Sequence, residues 1–392
     1  MSTTQLPTQD PFAGTPYRTL RLLDGGGGAS VYLVEDRETD RRCAAKVLDE
    51  RSAHVPRAID RLRLEAQALG RLEHPHIVTI LAVGTTADGR PYLVTEHLQG
   101  NSLAAELQMG GARLPVLEAV AYGCQLTSAL AAAHQIGLVH RSVAPSKLFL
   151  CDRPGGVKIL KVLDFGLTRV LPGFPDAPAP LHTATEDGLV LGEPGYVSPE
   201  VLGGAPADPR SDIYAAGVVL YRMLAGRGPF DEAQDTSELL ALQTRADPVA
   251  PSHGARSPVP AELDRLILRA LAQDPAERYQ TAAEVCTALD EIGMALAGPV
   301  GWAETLGWAK TGALAGPGVS EPAPSRSFSS PDGDGDGDGD ALARRSALPT
   351  PRLPAQQLPA QQRRAHVMTF VAACLVVMVV VLGAFGVALS LR

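Results

Sequence analysis

Four consecutive glycines, Gly25, Gly26, Gly27 and Gly28, separate two strand-like runs near the start of the chain, YRTLRLLD and SVYLVED. Backbone without side chains can approach a phosphate closely enough for its N–H groups to donate to it. A hairpin turn also selects glycine for its backbone freedom alone, so the run acquires chemical meaning only in company with a lysine and a glutamate further along the chain. Lys46 stands in the third strand-like run, RRCAAKVL, and Glu65 in the helical stretch RAIDRLRLEAQALGRLE. A strand lysine beside a helix carboxylate is an ammonium held in place by an ion pair, which makes a clamp for phosphate.

These residues need a scaffold, and the apolar pattern supplies one. Alternating runs at YRTLRLLD, SVYLVED, RRCAAKVL, HIVTILAVG and PYLVTEH read as a small antiparallel sheet, with the Glu65 helix between the third and fourth. From Leu114 the period changes to that of long helices: PVLEAVAYGCQLTSALAAAHQIG, SDIYAAGVVLYRMLAG and AELDRLILRALAQ. The expected fold class is α+β, a β-rich lobe ahead of a helical lobe. Leu126, Leu130 and Ala133 recur at helical spacing and are expected in the core.

Composition narrows the classes. Hydrophobic residues at 45% and charged ones at 20% exclude collagen-like, wholly disordered and disulfide-scaffold proteins. The net charge of −8 offers no global positive field for a nucleic-acid backbone, so no nucleic-acid partner is expected. The five cysteines, Cys43, Cys124, Cys151, Cys286 and Cys374, form no CxxC pair, which points to a reducing compartment and away from zinc. The first twenty residues lack a signal-peptide pattern, so the N-terminus is expected in the cytoplasm.

Residues 1–16 are read as a disordered N-terminus, 17–297 as the folded domain and 298–366 as a disordered linker rich in Gly, Pro, Ala and Asp. A flexible linker of that length reaches roughly 45 Å. Its Asp332–Asp340 alternation begins like a calcium loop, but the twelfth position holds Ala343, or Arg345 in the next register, and neither supplies the closing carboxylate. Gly301–Ala309, with two tryptophans, is a candidate amphipathic turn at a membrane surface. Val367–Leu391 carries no charge over 25 residues, enough for a transmembrane helix. Arg363 and Arg364 precede it and only Arg392 follows, so a single-pass anchor with the folded domain in the cytoplasm is expected. Any signal is then expected from the cytosol or the membrane.

From Tyr17 to about Leu296 the chain resembles the eukaryotic-type (Hanks-type) protein kinases, in particular membrane-anchored bacterial Ser/Thr kinases. Asp24-Gly25-Gly26-Gly27-Gly28-Ala29-Ser30-Val31 is similar to the GxGxxGxV loop, with Asp24 and Ala29 in place of the first and third glycines. CAAK with Lys46 resembles the VAIK strand, and Glu65 its helix partner. LVTEHLQGNSL resembles the hinge, which implies Thr95 as gatekeeper and the backbone of Glu96–Leu98 facing adenine, with Val31, Ala44 and Phe149 enclosing the base. The implied architecture is bilobal, and the implied ligands are ATP and Mg2+.

In the second lobe His140-Arg141-Ser142-Val143-Ala144-Pro145-Ser146-Lys147 stands where the family has HRDxKxxN, followed by Asp164-Phe165-Gly166 where it has DFG. Ser198-Pro199-Glu200 resembles APE, Asp212 the aspartate bracing the catalytic loop, and Arg278 the partner of that glutamate. His140 is expected to be a packing residue. Arg141 is a candidate for gripping a phosphate on Thr183, Thr185 or Ser198. Phosphoryl transfer uses an Asp as base, and the family's loop adds a Lys and a metal-holding Asn. Here those positions are Ser142, Ala144 and Lys147, and Glu193 replaces the nearby threonine. Asp164 remains as the one metal-binding carboxylate.

The expectation is therefore a membrane-tethered signalling protein that binds ATP and acts as a pseudokinase through cytoplasmic partners. The alternative is an unorthodox Ser/Thr kinase acting on protein substrates, with Glu193 as substitute base. Lys147 is expected to stand in for a metal ion and reduce the dependence of nucleotide binding on Mg2+.

Overall fold

A computed structural model describes residues 10–26, 28–165, 169–170 and 192–307. Gly27, Thr183, Thr185, Cys374, the Asp332–Asp340 repeat and the apolar run 367–391 lie outside the described residues.

The first lobe is built on five antiparallel strands: β1 (Tyr17–Gly26), β2 (Ala29–Asp36), β3 (Arg42–Leu48) and, after helix α1 (Pro56–Leu69), β4 (Ile80–Thr85) and β5 (Pro91–Glu96). Their order is β1-β2-β3-β5-β4. Strand periodicity sends alternate side chains to opposite faces. On β3, Cys43, Ala45 and Val47 join Val34, Tyr92 and Val94 in a small core on one face. Ala44 and Lys46, half-buried between them, belong to the other face, as do their cross-strand partners Thr95 and Leu93. Helix α1 carries Leu62 and Leu69, which share a core with Leu93 and Leu48, so Glu65 on the same stripe is buried.

Two expectations about this lobe need correction. Asp10–Pro16 is folded rather than disordered. Phe12 is 0% exposed and meets the edges of Tyr92 at 5.3 Å and Tyr32 at 6.0 Å, closing the core on the face away from α1. The HIVTILAVG run is not one strand. Its first residues leave the sheet, Ile77 bridging in parallel to Val162 and the Val78 N–H donating to the Val162 carbonyl at 3.1 Å.

The second lobe starts with β6 (Gly100–Ser102), α2 (Leu103–Met109) and the long helix α3 (Val116–Gln135). Short strands β7 (Leu138–Val139), β8 (Leu148–Asp152), β9 (Lys158–Val162) and β10 (Arg169–Val170) come next. They form a β6-β8-β9 sheet and a β10-β7 pair. Helices α4 (Pro199–Leu202), α5 (Pro209–Ala225), α6 (Thr236–Arg245), α7 (Ala261–Ala270) and α8 (Ala282–Thr305) complete it. Helix α3 is apolar and long enough to cross a membrane, but it is two-thirds buried as the axis of this lobe, with Leu126, Leu130 and Ala133 at 0% exposure.

Arg278, also 0% exposed, ties the helices together: it donates to both Glu200 oxygens at 3.0 and 2.7 Å and to the carbonyls of Ala272, Arg210 and Gln273. The folded domain also runs past Gly298. That glycine adopts φ 70° ahead of Pro299, and the chain doubles back so that Trp302 packs over Gly293 and donates to Asp290 at 2.6 Å. With Trp302 3% exposed, it is a core residue and not a membrane-surface one.

Candidate functional site: the interlobe charge row

Strand alternation points Lys46 from the sheet toward α1 and the second lobe, where it meets two carboxylates. Its Nζ donates to Glu65 Oε2 at 2.8 Å and to Asp164 Oδ1 at 3.0 Å. Lys147 reaches Asp164 from the other side, Nζ to Oδ2 at 2.6 Å. The result is a row of alternating charges, Glu65, Lys46, Asp164 and Lys147, with no formal excess.

Burial disfavours the Lys46 ammonium, but Glu65 and Asp164 outweigh it and lift its pKa above the usual lysine value. Burial also opposes the ionised Asp164, yet Lys46 and Lys147 hold that carboxyl well below its ordinary range. At Glu65, deeper in and touching one ammonium, burial prevails and pushes the carboxyl up.

The loop that carries Lys147 is fixed from behind by Asp212. One of its oxygens accepts from the His140 N–H (2.8 Å) and His134 Nε2 (2.9 Å), the other from the Arg141 N–H (2.8 Å). Burial would raise the Asp212 carboxyl, but His134 and these donors hold it down. Arg141 takes φ 70° and Asp164 φ 61°, left-handed conformations unusual for residues with a Cβ, of the kind found where a fold over-determines the backbone at a site.

His140 is 0% exposed and packs at 4.6 Å from the Phe165 ring. Its Nε2–H donates to the Leu163 carbonyl at 3.0 Å, so Nδ1 is left as an acceptor. The Ser142 hydroxyl lies 3.3 Å from that Nδ1 and donates to it. A neutral hydroxyl is not a group that takes up a proton as a carboxylate does. Ala144 is buried, and Glu193 is bonded to the Ser146 hydroxyl rather than to Ser142.

The remaining expected positions lie on the sheet of the first lobe and on the segments that follow it. Val31 pairs with Lys46 across β2 and β3, and Ala44 with Thr95 across β3 and β5. Val31, Ala44, Thr95, Glu96, Leu98 and Phe149 are all half-buried. Gly25 and Gly26 pair with Ser30 and Ala29 at the hairpin end, and Gly28, at φ 90°, leaves no room for a Cβ, which would sit 2.4 Å from Ser52 Oγ. Ser198, at the N-terminal boundary of α4, is only 2% exposed, which removes it from the candidate modification sites.

Some residues of the site were not anticipated. Lys161, 5% exposed, donates to Glu96 Oε1 at 2.7 Å and to the Ile77 carbonyl at 3.1 Å, while Glu96 also accepts from the Thr79 N–H. This staple ties the hinge to β9. A lysine inside the apolar strand KILKV was its signal, since such a residue needs a buried partner. His134 beside Asp212 carried no comparable signal.

The Lys46 ammonium, paired with Glu65 and Asp164, is a group of the kind that can hold a phosphate. The site does not fit a two-metal centre. Among the described residues no group of three His, Cys, Asp or Glu side chains is placed to hold a metal, and both Asp164 oxygens already accept from ammonium groups.

A bilobal fold with this lysine–glutamate–aspartate row between its lobes defines a protein-kinase domain. The protein kinase domain family model matches residues 17–288, and the chain belongs to that family. It is similar to the serine/threonine-protein kinase PrkC of Bacillus subtilis, 39% identical over 280 residues that cover 70% of this chain and 40% of the relative. Pkn1 of Myxococcus xanthus is 37% identical over 284 residues, covering 72% and 39%. PknB of Mycobacterium leprae is 36% identical over 284 residues, covering 71% and 43%. The chain thus spans about two fifths of the length of these curated relatives.

Proposed function

We propose that this chain is a membrane-tethered, nucleotide-binding pseudokinase that signals by presenting its kinase domain to cytoplasmic partners. The observation that carries the reading is the Lys147 ammonium on Asp164 Oδ2, with the Ser142 hydroxyl turned to His140 where a general base is needed. The intact Lys46–Glu65 pair supports ATP as ligand. Lys147 takes over part of a cation's work by neutralising Asp164, which reduces the need for Mg2+. The apolar run 367–391 and the arginines before it support a bilayer anchor with the domain on the cytoplasmic side.

A second reading is an active Ser/Thr kinase acting on protein substrates. The names of the relatives favour it, and Glu193 offers it a carboxylate bonded to Ser146 of the catalytic loop.

One experiment separates the two. The full-length chain is incubated with Mg-ATP and a generic acceptor protein, and phosphate incorporation is read by intact mass beside Lys46→Ala and Asp164→Ala controls. The pseudokinase reading expects no incorporation while ATP still raises the melting temperature. Incorporation that both controls abolish overturns it, and loss of that activity in Glu193→Gln would then identify the base.

A further inference from the structure

Helices α3 and α8 cross closely because α3 carries Gly123 at the crossing. A Cβ there would lie 2.5 Å from the Leu220 side chain of α5 and 3.1 Å from that of Leu289 on α8, so a larger residue would have to displace both leucines. The next residue is Cys124, 4% exposed, and opposite it on α8 stands the half-buried Cys286. Their Sγ atoms are 3.3 Å apart, and each Sγ also lies near the partner's carbonyl, at 3.8 and 3.5 Å. Cys43 and Cys151 are buried in other elements, β3 and β8.

We propose that Cys124 and Cys286 are a dithiol that a peroxide closes to a disulfide joining α3 to α8. The two thiols are already in contact at 3.3 Å, so the bond needs the sulfurs to close by about 1 Å. Cys286 is the more accessible of the two, so it is the thiol a peroxide reaches first. Its hydrogen bond with Cys124 holds its pKa down, as Thr127 also does, while burial and Asp290 oppose them. The Cys124 thiol is pushed up by the same hydrogen bond, by burial and by Asp290.

The Cys286 thiolate attacks one peroxide oxygen, the O–O bond breaks, and the leaving oxygen departs as water or alcohol with the thiol's proton. Cys286 is then a sulfenic acid. Cys124 sulfur attacks that sulfur, hydroxide leaves and combines with the Cys124 proton as water. Two thiols lose two electrons and two protons, and the peroxide is reduced by two electrons. A bond closing across 162 positions of sequence links the last helix of the domain to the helix whose His134 braces Asp212.

The test uses the full-length chain, treated with hydrogen peroxide, alkylated in denaturant and mapped by mass. The expected result is the loss of two of the five thiols, recovery of a Cys124–Cys286 cross-linked peptide, and return of both thiols on adding a dithiol reductant. Cys286→Ser should retain the Cys124 thiol under the same treatment. Survival of both thiols, Cys286 oxidised to sulfinic acid with Cys124 still free, or cross-linking of either to Cys374 would each overturn the proposal. The wild-type map decides the matter even if a serine variant fails to fold.

Discussion

Replacing Lys147 by Asn probes the charge row most directly. A Mg2+ ion held on Asp164 would sit about 2 Å from a carboxylate oxygen. The Lys147 ammonium is 2.6 Å from that carboxylate, so ammonium and metal would be about 4 Å apart. Coulomb repulsion between charges of one and two at that separation is about 2 kcal/mol in water and about 8 kcal/mol at an effective dielectric near 20. Because the Lys147 side chain is 34% exposed and that of Asp164 30%, solvent screening selects the lower end. About 2 kcal/mol is roughly a 30-fold change in affinity. Titrating ATP into the full-length wild-type chain should give dissociation constants in Mg2+ and in EDTA within about 3-fold, because one site charge is already neutralised. In Lys147→Asn the Mg2+ to EDTA ratio should widen by a factor of roughly 30 over that of the wild type. Wild-type binding that vanishes in EDTA, or an unchanged ratio in the variant, would show that Lys147 does not stand in for the metal charge.

Arg278→Met should cost about 3–5 kcal/mol in urea unfolding, because Glu200 is left as a partly buried charge and three carbonyls lose their donor. Phe12→Ala should cost about 3 kcal/mol, since it empties the aromatic cluster of the first lobe, and removing residues 1–13 should cost as much. Burial pushes the His76 imidazole down to about 4, while in the unfolded chain it titrates near 6.5. The unfolded state therefore binds the proton first, and stability falls as pH drops from 6.5 toward 4, by about 1.4 kcal/mol per pH unit and about 3 kcal/mol in all. His76→Asn, which keeps a donor for the Leu160 carbonyl, should remove that part of the slope in denaturant melts taken across this range.

Much of the fold was legible locally. Period-2 runs located the five strands and three/four spacing located α3, α5 and α7, because each element buries one stripe and the stripe is written in its own residues. Failures came where a residue's partner lies far along the chain. Phe12 sits in a polar stretch that reads as a tail, and only the aromatic edges of Tyr32 and Tyr92 make it core. Trp302 follows a glycine and a proline that read as a linker, and the reversal at Gly298 returns it to α8.

The residue types at the site were settled by sequence alone: a lysine and a glutamate in register with a glycine turn, a serine, an alanine and a lysine in the loop, and an aspartate after it. Those identities already limit the chemistry, since no arrangement turns Ser142 and Ala144 into a carboxylate and an ammonium. The tertiary structure decided which charges neutralise which. Lys147 could have faced solvent or a phosphate, and the approach of the two loops puts it on Asp164 instead. Coulomb energy depends on separation and burial, and both are set by packing between residues distant in sequence. The same holds for Cys124 and Cys286, unremarkable in the chain and 3.3 Å apart in the fold, because a glycine beside one of them lets two helices meet.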